Sequence, residues 1–192
     1  MSVRVCSLLT NDQQVIPNDG AYHIVRFPYA GGAGVGESYD AWDMHDPTQP
    51  DGGVVDDWAT DDRSGLIHPS VDGWGMLTAM VYWAAGDYSE VRDRFVRDPL
   101  GVEDSTATED YTPTPGGQFR HKTHQIFVHP NVPLAFKVKA WGGMADGHTI
   151  THAQFKLAIL PYARPDDKPN PQVTHTLAGT FTGTVTPGLA AA

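Results

Sequence analysis

The sequence predicts an all-β protein, an antiparallel β-sandwich with an extended N-terminal arm and a C-terminal tail. Three observations carry that expectation. Gly (20) and Pro (15) are spread through all 192 residues. The runs between them are short and alternate apolar with polar. No long window has the 3.6-residue periodicity of an amphipathic helix, and a period of two cannot sit on a helix without smearing its apolar face.

Taken in order, Ala21–Phe27 alternates weakly and is rich in strand formers. Met76–Trp83 places Leu77, Ala79, Val81 and Trp83 on one face and Met76, Thr78, Met80 and Tyr82 on the other. Both faces are largely apolar, which predicts a central strand covered on both sides. Ser89–Val96 fits a helical turn or a strand equally. Gln125–His129 is a short strand ending at Pro130. Leu134–Trp141 turns Leu134, Phe136, Val138 and Ala140 one way and Lys137 and Lys139 the other, and Gln154–Leu160 repeats the pattern around Lys156.

Two Gly-, Asp- and Pro-rich stretches, Gly31–Thr60 and Asp98–Gln118, read as long loops, which in a compact domain serve function or a partner. Ala163–Pro171 reads as a proline-rich linker. Val173–Leu177 and Thr180–Val185 read as a hairpin, marginal alone and so docked in cis or in trans. The expected organisation is an arm and acidic loop region over 1–60 partly packed on the core, a core over 61–162, and a linker with a β tail over 163–192.

Composition narrows the function classes. The formal charge of −10 argues against nucleic acid, since phosphate contacts need clustered Lys and Arg. Asp40, Asp43, Asp46, Asp51, Asp56, Asp57, Asp61 and Asp62 fall together with no Lys or Arg among them, the pattern of a solvated loop. Calcium also favours oxygen-rich loops, but the spacing of an EF-hand is absent. No window is apolar enough for a transmembrane helix, and no long apolar stretch opens the chain, so a protein made without export is expected. The single cysteine, Cys6, excludes an internal disulfide and reads as a small buried hydrophobe.

No catalytic constellation stands out. His121 and His124 are three apart, and His148 and His152 four apart. Zinc could use either spacing on a helix, but the surroundings read as strand or loop, and HTITH lacks the Glu of a zinc-protease helix. The His-x-His and following Glu of a cupin metal site are missing too. Gly31–Gly36 (GGAGVG) lacks the ending of a phosphate loop and runs into acidic sequence, and no Gly-x-Ser-x-Gly elbow exists. Neither a cofactor nor a catalytic residue is expected. Among the tryptophans, Trp83 and Trp141 end alternating strands and are expected in the core. Trp42 and Trp58 lie in the acidic stretch, where burial against the same chain is the first reading and an exposed aromatic that anchors a partner or stacks on a sugar the second.

The middle of the chain resembles minor tail proteins of phages that infect actinobacteria. RFPYAGG at Arg26–Gly32, SYDAWDMHDPTQPDG at Ser38–Gly52 and DDRSGLIHPSVDGWG at Asp61–Gly75 carry the resemblance. It continues through WAAGDYSEVRDRFVRDPLG at Trp83–Gly101, TATED at Thr106–Asp110, IFVHP at Ile126–Pro130 and QFKLAIL at Gln154–Leu160. The order of GW, a strand ending in Trp, an Arg-rich segment and a final F-x-L strand is also similar to a C1q/TNF-type jelly roll. That family commonly trimerises through an aromatic-rich face, so the resemblance implies Tyr82, Phe127 and Phe136 near a threefold axis. Together these imply a jelly-roll building block of a tailed-phage virion. Its implied partners are itself, as a homotrimer, and other virion proteins, with no nucleic acid or membrane. A capsid decoration protein and a receptor- or carbohydrate-binding module are the alternatives, with a cupin-like metalloenzyme behind them.

Overall fold

The computed structural model describes residues 2–29 and 38–162. The glycine run Gly31–Gly36 and the expected linker and hairpin after Tyr162 lie outside the described residues. Eleven strands follow in chain order: β1 (Arg4–Thr10), β2 (Gln14–Ile16), β3 (His23–Ile24), β4 (Tyr39–Asp40), β5 (Leu66–Ile67), β6 (Gly73–Trp83), β7 (Tyr88–Arg97), β8 (Asp104–Tyr111), β9 (Gln118–Val128), β10 (Leu134–Gly142) and β11 (His148–Pro161). A 3-10 turn at Asp62–Gly65 precedes β5.

They form two antiparallel sheets. The first has the order β4-β1-β11-β6-β9, with β2 also on β11, and the second has the order β3-β10-β7-β8, with β5 also on β10. Inward residues of the two interdigitate. Leu77, Ala79, Val81 and Trp83 of β6 and Phe155, Leu157 and Ile159 of β11 meet Val91 and Phe95 of β7 and Phe136, Val138 and Ala140 of β10. At the centre Phe95 lies 5.6 Å from Phe136 and 6.0 Å from Phe155 between ring centroids. Aromatics fill volume at low rotamer cost, and burial of this kind is the main favourable term in folding.

Several expectations change. The stretch expected as an arm supplies β1, which pairs with β11 along its full length and buries Cys6 and Leu8. The described residues up to Tyr162 form one compact unit. The supposed loop Asp98–Gln118 contains β8, an edge strand whose Asp, Glu and Thr side chains have no apolar alternation to betray it. Ser89–Val96 is strand. Trp141 is exposed at the end of β10, whereas Trp83 is core. Residues one apart on a strand face opposite sides, so Trp141 points away from the Ala140 that packs inward.

The acidic stretch has a local explanation. The carboxylates of Asp46, Asp51, Asp57 and Asp61 each accept a hydrogen bond from the backbone N–H two residues on, at Thr48, Gly53, Ala59 and Arg63. This is the turn chemistry for which Asp is selected. Arg26 adds two hydrogen bonds to Asp62, at 2.9 and 2.8 Å.

Candidate interface on the outer face of the six-stranded sheet

Strand register fixes what the first sheet presents to the outside. Trp74, Met76, Thr78, Met80 and Tyr82 alternate with the buried residues of β6. Across from them on β9 stand Phe127, Gln125, Thr123, His121 and Phe119, and on β11 Leu160, Ala158, Lys156, Gln154 and His152. The rows are apolar at both ends and polar in the middle. One end gathers Leu160, Trp74 and Phe127, with Tyr162 edge-on to Phe127 at 5.6 Å. The other pairs Tyr82 with Phe119 at 4.6 Å, and His152 lies 6.3 Å from Phe119. Trp74, Met76, Phe119, Leu160 and Tyr162 are between 44% and 61% exposed.

Scattered exposed hydrophobes need no explanation, whereas aromatic clusters gathered on one sheet face make it the candidate surface for a partner. Burying such a side chain is worth about 1.5–3 kcal/mol. The indole Nε1–H of Trp74 donates to Gln125 Oε1 at 3.0 Å, which fixes the ring across two strands.

Of the five aromatics singled out from the sequence, two stand here. Tyr82 and Phe127 lie on this face, in opposite clusters. Phe136 does not: it is 1% exposed, on the inward side of β10 in the other sheet, and it serves the core. Its parity with Leu134, Val138 and Ala140 already put it with the buried set. Trp42 packs against the core with the Arg4 guanidinium 4.9 Å over its ring. Trp58 is half-buried, and its carbonyl accepts from Ser64 Oγ at 2.6 Å. Neither is a free stacking platform, and the cleft of about 330 Å³ near Arg63, His68 and Leu100 has no tryptophan in its lining. The two-faced apolar run Met76–Trp83 was the signal for this surface. It reads as a strand covered twice, but the described residues cover only the inner side.

The histidines do not converge. Three residues apart on β9, His121 points out and His124 points in, where its Nε2 lies 2.9 Å from Thr106 Oγ1. His148 and His152 would share a face of a regular strand. An irregularity between Ile150 and His152 shifts the register, so His148 is buried against Tyr88 at 4.6 Å while His152 meets Asn11 Oδ1 at 2.7 Å on the outside. Burial pushes the His148 ring below its usual pKa. His45, stacked on Tyr29, is pushed down the same way. Among the described residues no three His, Cys, Asp or Glu side chains gather as a metal-binding group. Burial, reinforced by Asp40, holds the Cys6 thiol far above its usual range, so it is no nucleophile.

No protein-family model matches the chain, and no curated protein matches it by sequence. Solved structures do match in fold. The globular domain of zebrafish complement 1qA protein superposes with a TM-score of 0.53 at 10% identity, covering 83% of this chain and 99% of that one. Eiger TNF from S. frugiperda superposes with a TM-score of 0.51 at 14% identity, covering 85% and 96%. At such identities the likeness is one of architecture, and the described residues form a C1q/TNF-like jelly roll.

Proposed function

We propose that this chain is a non-catalytic assembly block, three copies of which pack around a threefold axis through the outer face of the β4-β1-β11-β6-β9 sheet. The observation that carries the reading is that face itself. It presents two aromatic clusters and a methionine pair, with Lys156 its only formally charged side chain on β6, β9 and β11. A threefold contact is heterologous and closes on itself, so each copy buries the face without leaving a free edge. The resemblance to a family that trimerises through an aromatic face supports the same stoichiometry. Similarity of Arg26–Leu160 to minor tail proteins supports a place in a tailed-phage particle, where assembly rather than turnover would be the work.

Native mass spectrometry of the full chain tests the oligomer. A trimer that dissociates in the Trp74→Asp, Phe119→Asp double variant, with the circular-dichroism spectrum retained, is the expected result. A wild-type monomer at tens of micromolar would sink the reading, because a 10⁻⁶ M association is about 8 kcal/mol and well within reach of such a face. Immunogold labelling of purified particles tests the address: gold on tails supports a tail protein, gold on heads a capsid decoration protein, and unlabelled particles neither.

A further inference from the structure

One charged cluster lies between the sheets, away from the proposed interface. Lys122, inward on β9, is paired with Ala79 on one sheet and reaches across to the other. There Asp93 of β7 and Glu109 of β8 stand directly opposite one another in register. Lys122 Nζ lies 2.9 Å from Asp93 Oδ1 and 2.9 Å from Glu109 Oε2. The Lys122 and Asp93 side chains are 1% and 3% exposed, whereas Glu109 is 53% exposed.

A β-bulge sets this arrangement. The β7–β8 register shifts between Asp93 and Phe95, and Ala107 sits at φ 51, a left-handed conformation unusual for a residue with a Cβ. The Tyr111 hydroxyl donates to Glu109 Oε2 at 2.7 Å, the same oxygen that meets Lys122. Two carboxylates opposite each other repel, and a buried ion pair loses much of its attraction to desolvation. Neither Asp93 oxygen nor Lys122 Nζ has an aligned hydrogen bond among the described residues, so the ions are close without being well satisfied. Burial raises the Asp93 carboxyl towards its neutral form, with Lys122 opposing that shift.

We propose that Lys122 and Asp93 condense into an intramolecular amide that clasps the two sheets, with Glu109 as the proton carrier. Proton exchange within the cluster turns the ammonium and carboxylate into an amine and a neutral carboxyl group. The Nζ lone pair attacks Asp93 Cγ and a C–N bond forms. Glu109 takes the surplus proton from nitrogen and returns it to the departing oxygen. The C–O bond breaks and one water leaves past the half-exposed Glu109. Overall an ammonium and a carboxylate become an amide and a water, with nothing oxidised or reduced and no other reactant. Holding the reacting groups in contact in a water-poor site supplies the effective concentration that an amide condensation lacks in water. Forming the bond also removes two charges from the interior and leaves Glu109 without an opposed carboxylate.

The test is the intact mass of the purified full-length chain, followed by digestion and tandem mass spectrometry. The wild type is expected to be lighter than its sequence by one water after any N-terminal processing. A branched peptide should join the segment holding Asp93 to the one holding Lys122. Glu109→Gln, nearly the same shape at a half-exposed position, is expected to keep its circular-dichroism spectrum and show the full mass. A wild type at full mass, or a water loss mapped to other side chains, would overturn the bond. A branched peptide formed as completely in Glu109→Gln would overturn the role of Glu109.

Discussion

The outer faces of the two sheets are built on opposite terms. On the β3-β10-β7-β8 sheet, Arg92 lies 2.8 Å from Asp110 and 3.4 Å from Glu90, and Lys139 lies 2.7 Å from Glu90. Arg94 and Lys137 share Glu103, and Arg97 meets Asp104. Tyr22 is covered by the Arg94 guanidinium 3.8 Å over its ring. Alternate positions of this sheet thus carry opposite charges laced across strands, the solution for a surface that stays wet. The β4-β1-β11-β6-β9 sheet spends the same alternate positions on Trp, Met, Tyr, Phe and Leu. A monomer would gain from the first arrangement on both sides. The asymmetry is what the proposed assembly requires, with one face in water and the other against a second copy.

The largest expected effect lies in the core that both faces share. Phe136→Ala is expected to cost about 3–5 kcal/mol in urea unfolding, the range for a large aromatic removed from a packed interior. If Phe136 instead faced a threefold axis, the variant would lose its oligomer while keeping its monomer stability. The next effect belongs to the apolar face alone. Met76→Asp is expected to weaken self-association at least tenfold, about 1.4 kcal/mol, in a sedimentation dilution series. Its far-ultraviolet spectrum should stay unchanged, because the side chain is already exposed. Self-association as tight as the wild type's would move the contact elsewhere.

How much of this was readable follows from where each residue's reason lies. Leu134–Trp141 and Gln154–Leu160 declared themselves because their neighbours in sequence alternate, and alternation is all a half-buried strand needs. β1 did not, since Val5, Cys6, Leu8 and Leu9 give no strict period, and its place beside β11 is a long-range fact. β8 was hidden because an edge strand with a wet face carries Thr and Glu where a central strand carries Val. The candidate interface was half legible. Tyr82 and Phe127 came from resemblance, whereas Trp74, Phe119 and Leu160 join them only once β6, β9 and β11 are in register. Lys122, Asp93 and Glu109 sit on three strands of two sheets, and no spacing in the sequence brings them together.

A smaller effect separates the wet surface from the dry interior by pH. Burial lowers the pKa of His45, His68 and His148, so the folded protein binds fewer protons there than the unfolded chain does. Stability is therefore full above the usual histidine value near 6.5 and falls as pH drops below it. The ion-paired carboxylates Glu90 and Glu103, whose pKa values are lowered, add their losses only further down, as pH falls through the usual carboxylate range. His148→Phe removes two ring nitrogens that have no hydrogen-bond partner among the described residues and keeps the stack on Tyr88. It is expected to raise stability by about 1 kcal/mol at pH 7 and to shrink the drop in melting temperature between pH 7 and pH 5. An unchanged pH profile would mean that His148 takes up its proton equally in the folded and unfolded states through that window.

The smallest effect is expected where the charges are densest. Lys139→Glu breaks the contact with Glu90 and sets two carboxylates side by side, yet both partners are partly exposed and water screens them. The cost in urea unfolding is expected to be about 0.5–1 kcal/mol, less in high salt, with no change in oligomeric state. Glu90 should lose its lowered pKa, because the hydrogen bond from Lys139 is the main cause of it. A charge change on this sheet that dissociated the assembly would place the ion-pair lattice within the contact, and the division of labour between the two faces would have to be reversed. A small, salt-sensitive loss beside an intact oligomer leaves the lattice the simpler task of keeping one side of the sandwich in water.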